Sequence, residues 1–163
     1  MLDLVRSVSA KTWLVLLALA SAAALAAAYA LQYLGGFEPC QMCYWQRYPY
    51  MAVIGAAVLG VASRFVRLAL AAALLLFLVG TGLSAWHVGV EQGLLALPEG
   101  CAAIGTAATV AELRAQLLSA APACDQVTLR FIGLSLSAWN GITALVLAGL
   151  TFAALWRERR VSY

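Results

Sequence analysis

Pro39-Cys40-Gln41-Met42-Cys43-Tyr44-Trp45-Gln46-Arg47 lies at the boundary of two long apolar segments and sets two cysteines three residues apart. Arg47 follows one helical turn after Cys43. A C-x-x-C pair can close into a small redox-active disulfide, and a nearby positive charge favours the thiolate, which is the form that reacts. The sequence on either side reads as a frame that holds this stretch at a membrane surface.

Working outward, four segments are candidates to cross a bilayer. Thr12 to Leu34 is uncharged for 23 residues, or about 34 Å of helix at about 1.5 Å per residue. Leu68 to Val90 is another uncharged run of 23 residues, and Phe131 to Trp156 one of 26. The weakest segment is the second, Tyr44 to Ala62, which contains Gln46, Arg47 and Pro49. It spans only if its first turn sits at the interface, where Arg47 can stay near water. Pro49 is tolerated there, because a proline in the opening turn of a helix loses little hydrogen bonding. The first run is longer than a signal-peptide core and reads as a retained helix.

Composition agrees with this pattern. Of the 163 residues, 64% are hydrophobic and 10% charged, against about 25% charged in soluble domains. The net charge of +3 is too small and too scattered for a nucleic-acid partner. The expected fold is therefore an all-α membrane protein, a four-transmembrane-helix bundle forming one domain over 1–163. Its helices are expected near 12–34, 44–62, 68–90 and 131–156, with extracytoplasmic loops at 35–43 and 91–130.

Charge sets the orientation. Arg6, Lys11, Arg64, Arg67, Arg157, Arg159 and Arg160 fall on the side of the termini, whereas Arg47, Arg114 and Arg130 fall on the other. Seven against three is a positive-inside bias, which predicts cytoplasmic termini. Cys40, Cys43, Cys101 and Cys124 then all face the compartment where disulfides persist.

Helix 2 is expected to begin at or just after Cys43, so that its free N–H groups and Arg47 at i+4 lower the thiol pKa of Cys43. His87 is placed near the outer end of helix 3, at a depth similar to that of Arg47. In the second loop, Thr109-Val110-Ala111-Glu112 reads as a capping box. It opens a short amphipathic helix with Val110, Leu113, Leu117 and Leu118 on one side. Gly100, Gly105 and the run Ala120 to Ala123 loosen its flanks. Small residues in helix 1 favour close helix packing, and Ser137 and Asn140 suit bonds between helices.

Cysteine counting leaves alternatives open. Four cysteines allow two purely structural bridges. C-x-x-C also suits half of a tetrahedral zinc site, but no second C-x-x-C is present and His87, the single histidine, is isolated in the sequence, so no metal is expected.

These residues together resemble the DsbB family of bacterial inner-membrane disulfide-generating proteins. The resemblance rests on Cys40-Gln-Met-Cys43 followed by Gln46-Arg47-x-Pro49-Tyr50, on His87-Val-Gly-Val-Glu91-Gln92-Gly93, on Cys101 with Cys124, and on Gly133-Leu-Ser-Leu-Ser-Ala-Trp-Asn140. It implies that Cys40 and Cys43 form a disulfide beside a bound quinone, ubiquinone or menaquinone, with Cys43 facing the ring. It also implies that Cys101 and Cys124 form the disulfide that reoxidises a periplasmic thiol oxidase of the DsbA type, with Cys101 making the mixed disulfide. Arg47 would bind the quinone, and His87 would fall near it. Glu91 and Gln92 share that stretch. The expected function is thus a quinone-dependent thiol oxidase of the inner membrane, in contact with the lipid bilayer and the quinone pool. Two other readings stand beside it: a membrane scaffold with two structural disulfides, and a specialised relative serving a dedicated client oxidase. Vitamin K epoxide reductase-type bundles also use C-x-x-C, but its placement before helix 2 fits DsbB better.

Overall fold

The computed structural model describes residues 8–101, 109–112, 114, 122–127 and 129–161. Helix α1 covers Ala10–Tyr33 and opens with Ser9 as its cap, whose side chain accepts the Thr12 amide. A cap of this kind satisfies one of the N–H groups that a helix start leaves unpaired. Helix α1 closes at Leu34 and Gly35, whose amides both reach the Ala30 carbonyl.

The second apolar segment is divided. Gln41–Trp45 forms a short helix, α2, and Arg47–Ala62 forms α3. Gln46 joins them in right-handed helical conformation. The division has a covalent cause: Pro49 has no N–H to give the Trp45 carbonyl four residues back, and its ring crowds that carbonyl. Helix α4 is Val66–Glu91, and it ends at Gln92 and Gly93, the latter at φ +69.

The last helix starts later than the apolar run suggests. Residues Arg130–Phe131 (β1) pair antiparallel with Leu134–Ser135 (β2), and α5 then runs Leu136–Val161. Ile132 and Gly133 both have positive φ, 51 and 79, which is the geometry of a two-residue hairpin turn. Trp139 Nε1 donates to the Phe131 carbonyl at 2.9 Å and pins the hairpin to α5. Apolar composition alone cannot distinguish this hairpin from helix, which is why a start at Phe131 was expected.

Among the described residues, three helices are long and apolar enough to cross a membrane: α1, α4 and the Leu136–Glu158 part of α5. Of the four anticipated spans, the remaining one, α3, has 16 residues. That is about 24 Å of rise, short of a hydrocarbon core of about 30 Å.

Helix α4 packs most extensively on α5, α1 on α3, and α3 on α4, while α1 and α5 touch little. The core joins Leu14 and Leu17 of α1, Tyr50 and Val53 of α3, Leu70 and Phe77 of α4, and Leu147 and Ala148 of α5. The α3–α4 approach depends on Gly60, where an added Cβ would lie 2.4 Å from the Ala69 Cβ and 2.7 Å from Leu14 Cδ1. At one end, Arg67 donates to the Glu158 carbonyl and Arg157 to the Val8 carbonyl. The cysteines gather at the opposite end.

Candidate functional site

The site begins at the N-terminus of α2. Because α2 starts at Gln41, its cap is Cys40 rather than Cys43, and the Cys40 sulfur accepts the Cys43 amide at 3.3 Å. The two sulfurs lie 2.9 Å apart and are unbonded in this structure. The Cys43 thiol donates to Cys40, and His87 adds a second donor at 3.6 Å. These donors overcome burial and bring the Cys40 thiol pKa down to about 5. The Cys43 thiol is pushed up, because it gives its proton to the Cys40 sulfur and because it is buried. The helix expected to begin at or just after Cys43 thus begins at Gln41, and the Cys43 amide caps the Cys40 sulfur. The charge of Arg47 does act on Cys43 in the expected direction, against the neighbouring sulfur and burial.

Cys101 and Cys124 are bonded to one another. Both are buried in a cluster with Cys40, Met42 and Val90, against which Cys43 and Trp45 pack. The two cysteine pairs, far apart in sequence, thus share one small core. His87 links them: its Nε2–H donates to the Cys124 carbonyl at 3.1 Å and faces the Cys40 sulfur.

His87 is 2% exposed and belongs to a polar chain through the bundle. The Gln46 side-chain amide meets His87 Nδ1 at 2.6 Å. Gln46 Oε1 accepts from Ser84 Oγ at 3.1 Å and from Asn140 Nδ2 at 2.8 Å. On the other side Glu91 Oε1 stands 3.8 Å from His87 Nε2 and accepts from Ser137 Oγ. Partners of this kind fix an imidazole's orientation and tautomer. The resemblance put His87 near a bound quinone; the structure places it beside the C-x-x-C, lining the smaller cleft and not the larger one. It also brings in Gln46 and Ser84, which were given no role. One signal could have found part of this group: Ser84, His87 and Glu91 recur at i, i+3 and i+7, one polar stripe on an apolar helix.

A cleft of about 280 Å³ opens in the gap between α1 and α5. Ala24, Ala28 and Leu31 form one wall, Leu136 and Trp139 another, and Cys43, Gln46 and Arg47 the floor. Arg47 Nη1 donates to Gln32 Oε1 at 2.7 Å, and its guanidinium lies 4.7 Å from the Tyr29 ring centroid and 4.9 Å from that of Tyr44. Among the described residues no carboxylate pairs with this cation, which is only 7% exposed. A second, smaller cleft is lined by Cys40, Cys43, His87 and Glu91. Cys43 thus faces both clefts, whereas Cys40 faces only the smaller one.

In the second loop, Thr109 Oγ1 accepts the Glu112 amide at 3.2 Å, and residues 110–112 are helical. Leu113, Leu117, Leu118 and Gly105, on which the amphipathic-helix and loose-flank expectations rest, lie outside the described residues.

Comparison with known proteins gives three similarities. The profile of a family described as "Disulfide bond formation protein DsbB" matches residues 10–154. "Disulfide bond formation protein B" of Methylococcus capsulatus is 32% identical over 164 residues, covering 93% of this chain and 98% of the relative. "Uncharacterized protein RP370" of Rickettsia prowazekii is 26% identical over 136 residues, 78% of each chain.

Proposed function

The chain belongs to the DsbB family of disulfide bond formation proteins, and from that premise we propose that it is a quinone-dependent thiol oxidase of the bacterial inner membrane. In this reading the termini are cytoplasmic, the cysteines face the periplasm, and α3 crosses the membrane with α2 at the interface. The client is a soluble DsbA-type oxidase in its dithiol form.

The observation that carries the reading is the position of Cys43 between the two clefts. The larger cleft suits a quinone: its lining is mostly apolar, with Glu38, Asn140 and Thr143 among it, one sulfur lines it, and a buried guanidinium with no carboxylate pairing among the described residues is available to a carbonyl oxygen. A quinone bound there, ubiquinone or menaquinone, supplies the two-electron acceptor that lets the Cys40–Cys43 disulfide form again. Arg47 is the residue that would hold it, oriented by Gln32 and the Tyr29 and Tyr44 rings.

The chain's own part is thiol–disulfide exchange. A client thiolate attacks Cys101, breaking the Cys101–Cys124 bond and leaving a mixed disulfide with Cys124 as thiolate. The second client thiol then releases the client as a disulfide, with two electrons left on Cys101 and Cys124. Exchange in the shared core passes those electrons to Cys40 and Cys43, one bond forming as another breaks. Cys40 is a good leaving group because the Cys43 amide and His87 hold its charge.

The test follows quinone absorbance in detergent while free thiols are titrated, with a reduced DsbA-type protein as electron donor. Oxidised quinone should disappear in step with the client's thiols, and Cys43→Ala should stop this. Unchanged quinone consumption by Cys43→Ala overturns the role of Cys43. No consumption by the wild type, with both disulfides intact, supports a structural scaffold instead.

A further inference from the structure

The reduced C-x-x-C is not alone at its end of the bundle. The ligand-capable atoms of Cys40, Cys43 and His87 all lie within 4.8 Å of one another, and all three residues border the smaller cleft. We propose that the reduced Cys40–Cys43 pair and His87 form a binding site for a thiophilic divalent cation of the zinc class. The site exists in the dithiol state and is lost when the pair becomes a disulfide.

Geometry favours this set. With Zn–S near 2.3 Å and Zn–N near 2.1 Å, the edge between sulfur and nitrogen in a tetrahedral site is about 3.6 Å. Cys40 Sγ and His87 Nε2 stand 3.6 Å apart. The two sulfurs, at 2.9 Å, must open to about 3.8 Å on the same bond lengths, within reach of a modest side-chain rotation at Cys43. Glu91 borders the same cleft, its Oε1 3.8 Å from His87 Nε2, so a carboxylate oxygen or a water can take the fourth position. The donors come from two helical elements, α2 with its cap and α4, which limits the ordering that a cation must impose.

Binding requires a bare Nε2, which gives up its hydrogen bond to the Cys124 carbonyl at 3.1 Å, and the network on the Nδ1 side can adjust to this tautomer. If the Gln46 amide turns over, its oxygen accepts an Nδ1–H, while the Asn140 amide and the Ser84 hydroxyl reverse to match. The step is proton-balanced: two sulfur–metal bonds and one nitrogen–metal bond form, thiol protons still bound pass to solvent, and no electron moves. In the disulfide neither sulfur carries the charge that makes it a ligand. A bound cation would therefore hold the pair reduced and withdraw the protein from turnover. The proposal does not depend on the quinone reading.

The experiment uses the full-length Cys101→Ser/Cys124→Ser chain in detergent, reduced, freed of reductant and titrated with Co²⁺ alone. Thiolate-to-cobalt charge-transfer absorption with tetrahedral visible bands should saturate at one equivalent and be displaced by Zn²⁺. The same chain oxidised to the Cys40–Cys43 disulfide should give neither band. His87→Ala should weaken binding at least about tenfold and shift the visible bands, while His87→Cys should restore tight binding with a more sulfur-rich spectrum. Absence of bands when two free thiols are titrated overturns the site. So do equal bands in the oxidised chain, and an unchanged spectrum and affinity in His87→Ala. If His87→Ala does not fold, the reduced-versus-oxidised comparison and His87→Cys decide.

Discussion

Arg47 is a buried cation whose described neighbours are one amide oxygen and two aromatic faces. Such partners orient a guanidinium without neutralising it, so its charge remains available to the cleft. Arg47→Ala should raise the apparent KM for quinone about tenfold, equivalent to about 1.4 kcal/mol. Arg47→Lys should fall between, since an ammonium keeps the charge but loses the planar fork. An unchanged KM in both would leave Arg47 as an anchor only. Cys40 offers a second test at this scale. In the reduced Cys101→Ser/Cys124→Ser chain, with a chelator present, its thiol faces Cys43 and His87, with Glu91 beyond. With a pKa near 5, it is already thiolate above that pH. Its alkylation rate should rise through about pH 5 and stay level from about pH 6 to 8, where an ordinary thiol with a pKa near 8.5 gains about tenfold per unit. A rate that keeps rising through neutrality would contradict a Cys40 charge held by the Cys43 thiol and His87.

At the scale of elements, the break between α2 and α3 places Cys43 and Arg47 on the floor of one cleft while Cys40 turns toward the second disulfide. Pro49 causes that break, whereas from sequence it is expected to be tolerated in the opening turn of a single helix over 44–62. The hairpin before α5 was not readable, because Phe131, Ile132 and Leu134 are as apolar as the helix that follows. Gly60 governs another element-level contact. Gly60→Leu would drive a side chain into Ala69 and Leu14, and overpacking of this kind costs about 1–3 kcal/mol. Thermal unfolding in detergent should shift down clearly for Gly60→Leu, whereas Gly55→Leu, at a position with open space around it, should unfold close to the wild-type temperature. Equal stability of the two variants would mean that α3 and α4 do not approach as described.

For the whole molecule, the charge asymmetry and the gathering of four cysteines at one end support the proposed topology. Cysteine-directed labelling of intact cells should modify a Cys placed at Gly36 or Leu94 with a membrane-impermeant reagent, in a chain otherwise free of cysteine. A Cys placed at Ser63 should be modified only after the inner membrane is permeabilised. The reverse pattern, or labelling of all three, would remove the proposed orientation.

The sequence by itself determined the class of the fold, its membrane setting and the chemistry at stake. Long uncharged apolar runs cannot be hydrated, and the C-x-x-C with its following arginine is a local motif whose meaning needs no tertiary contact. Tertiary structure alone decided which sulfur the helix start caps and which groups join it. The cap fell to Cys40 because α2 starts at Gln41. His87, 47 residues from Cys40, reached the pair through the packing of α4. Gln46, Ser84 and Asn140 became one network because three helices bring them together. Contacts between residues so distant in the chain arise from helix packing, which composition and spacing do not encode.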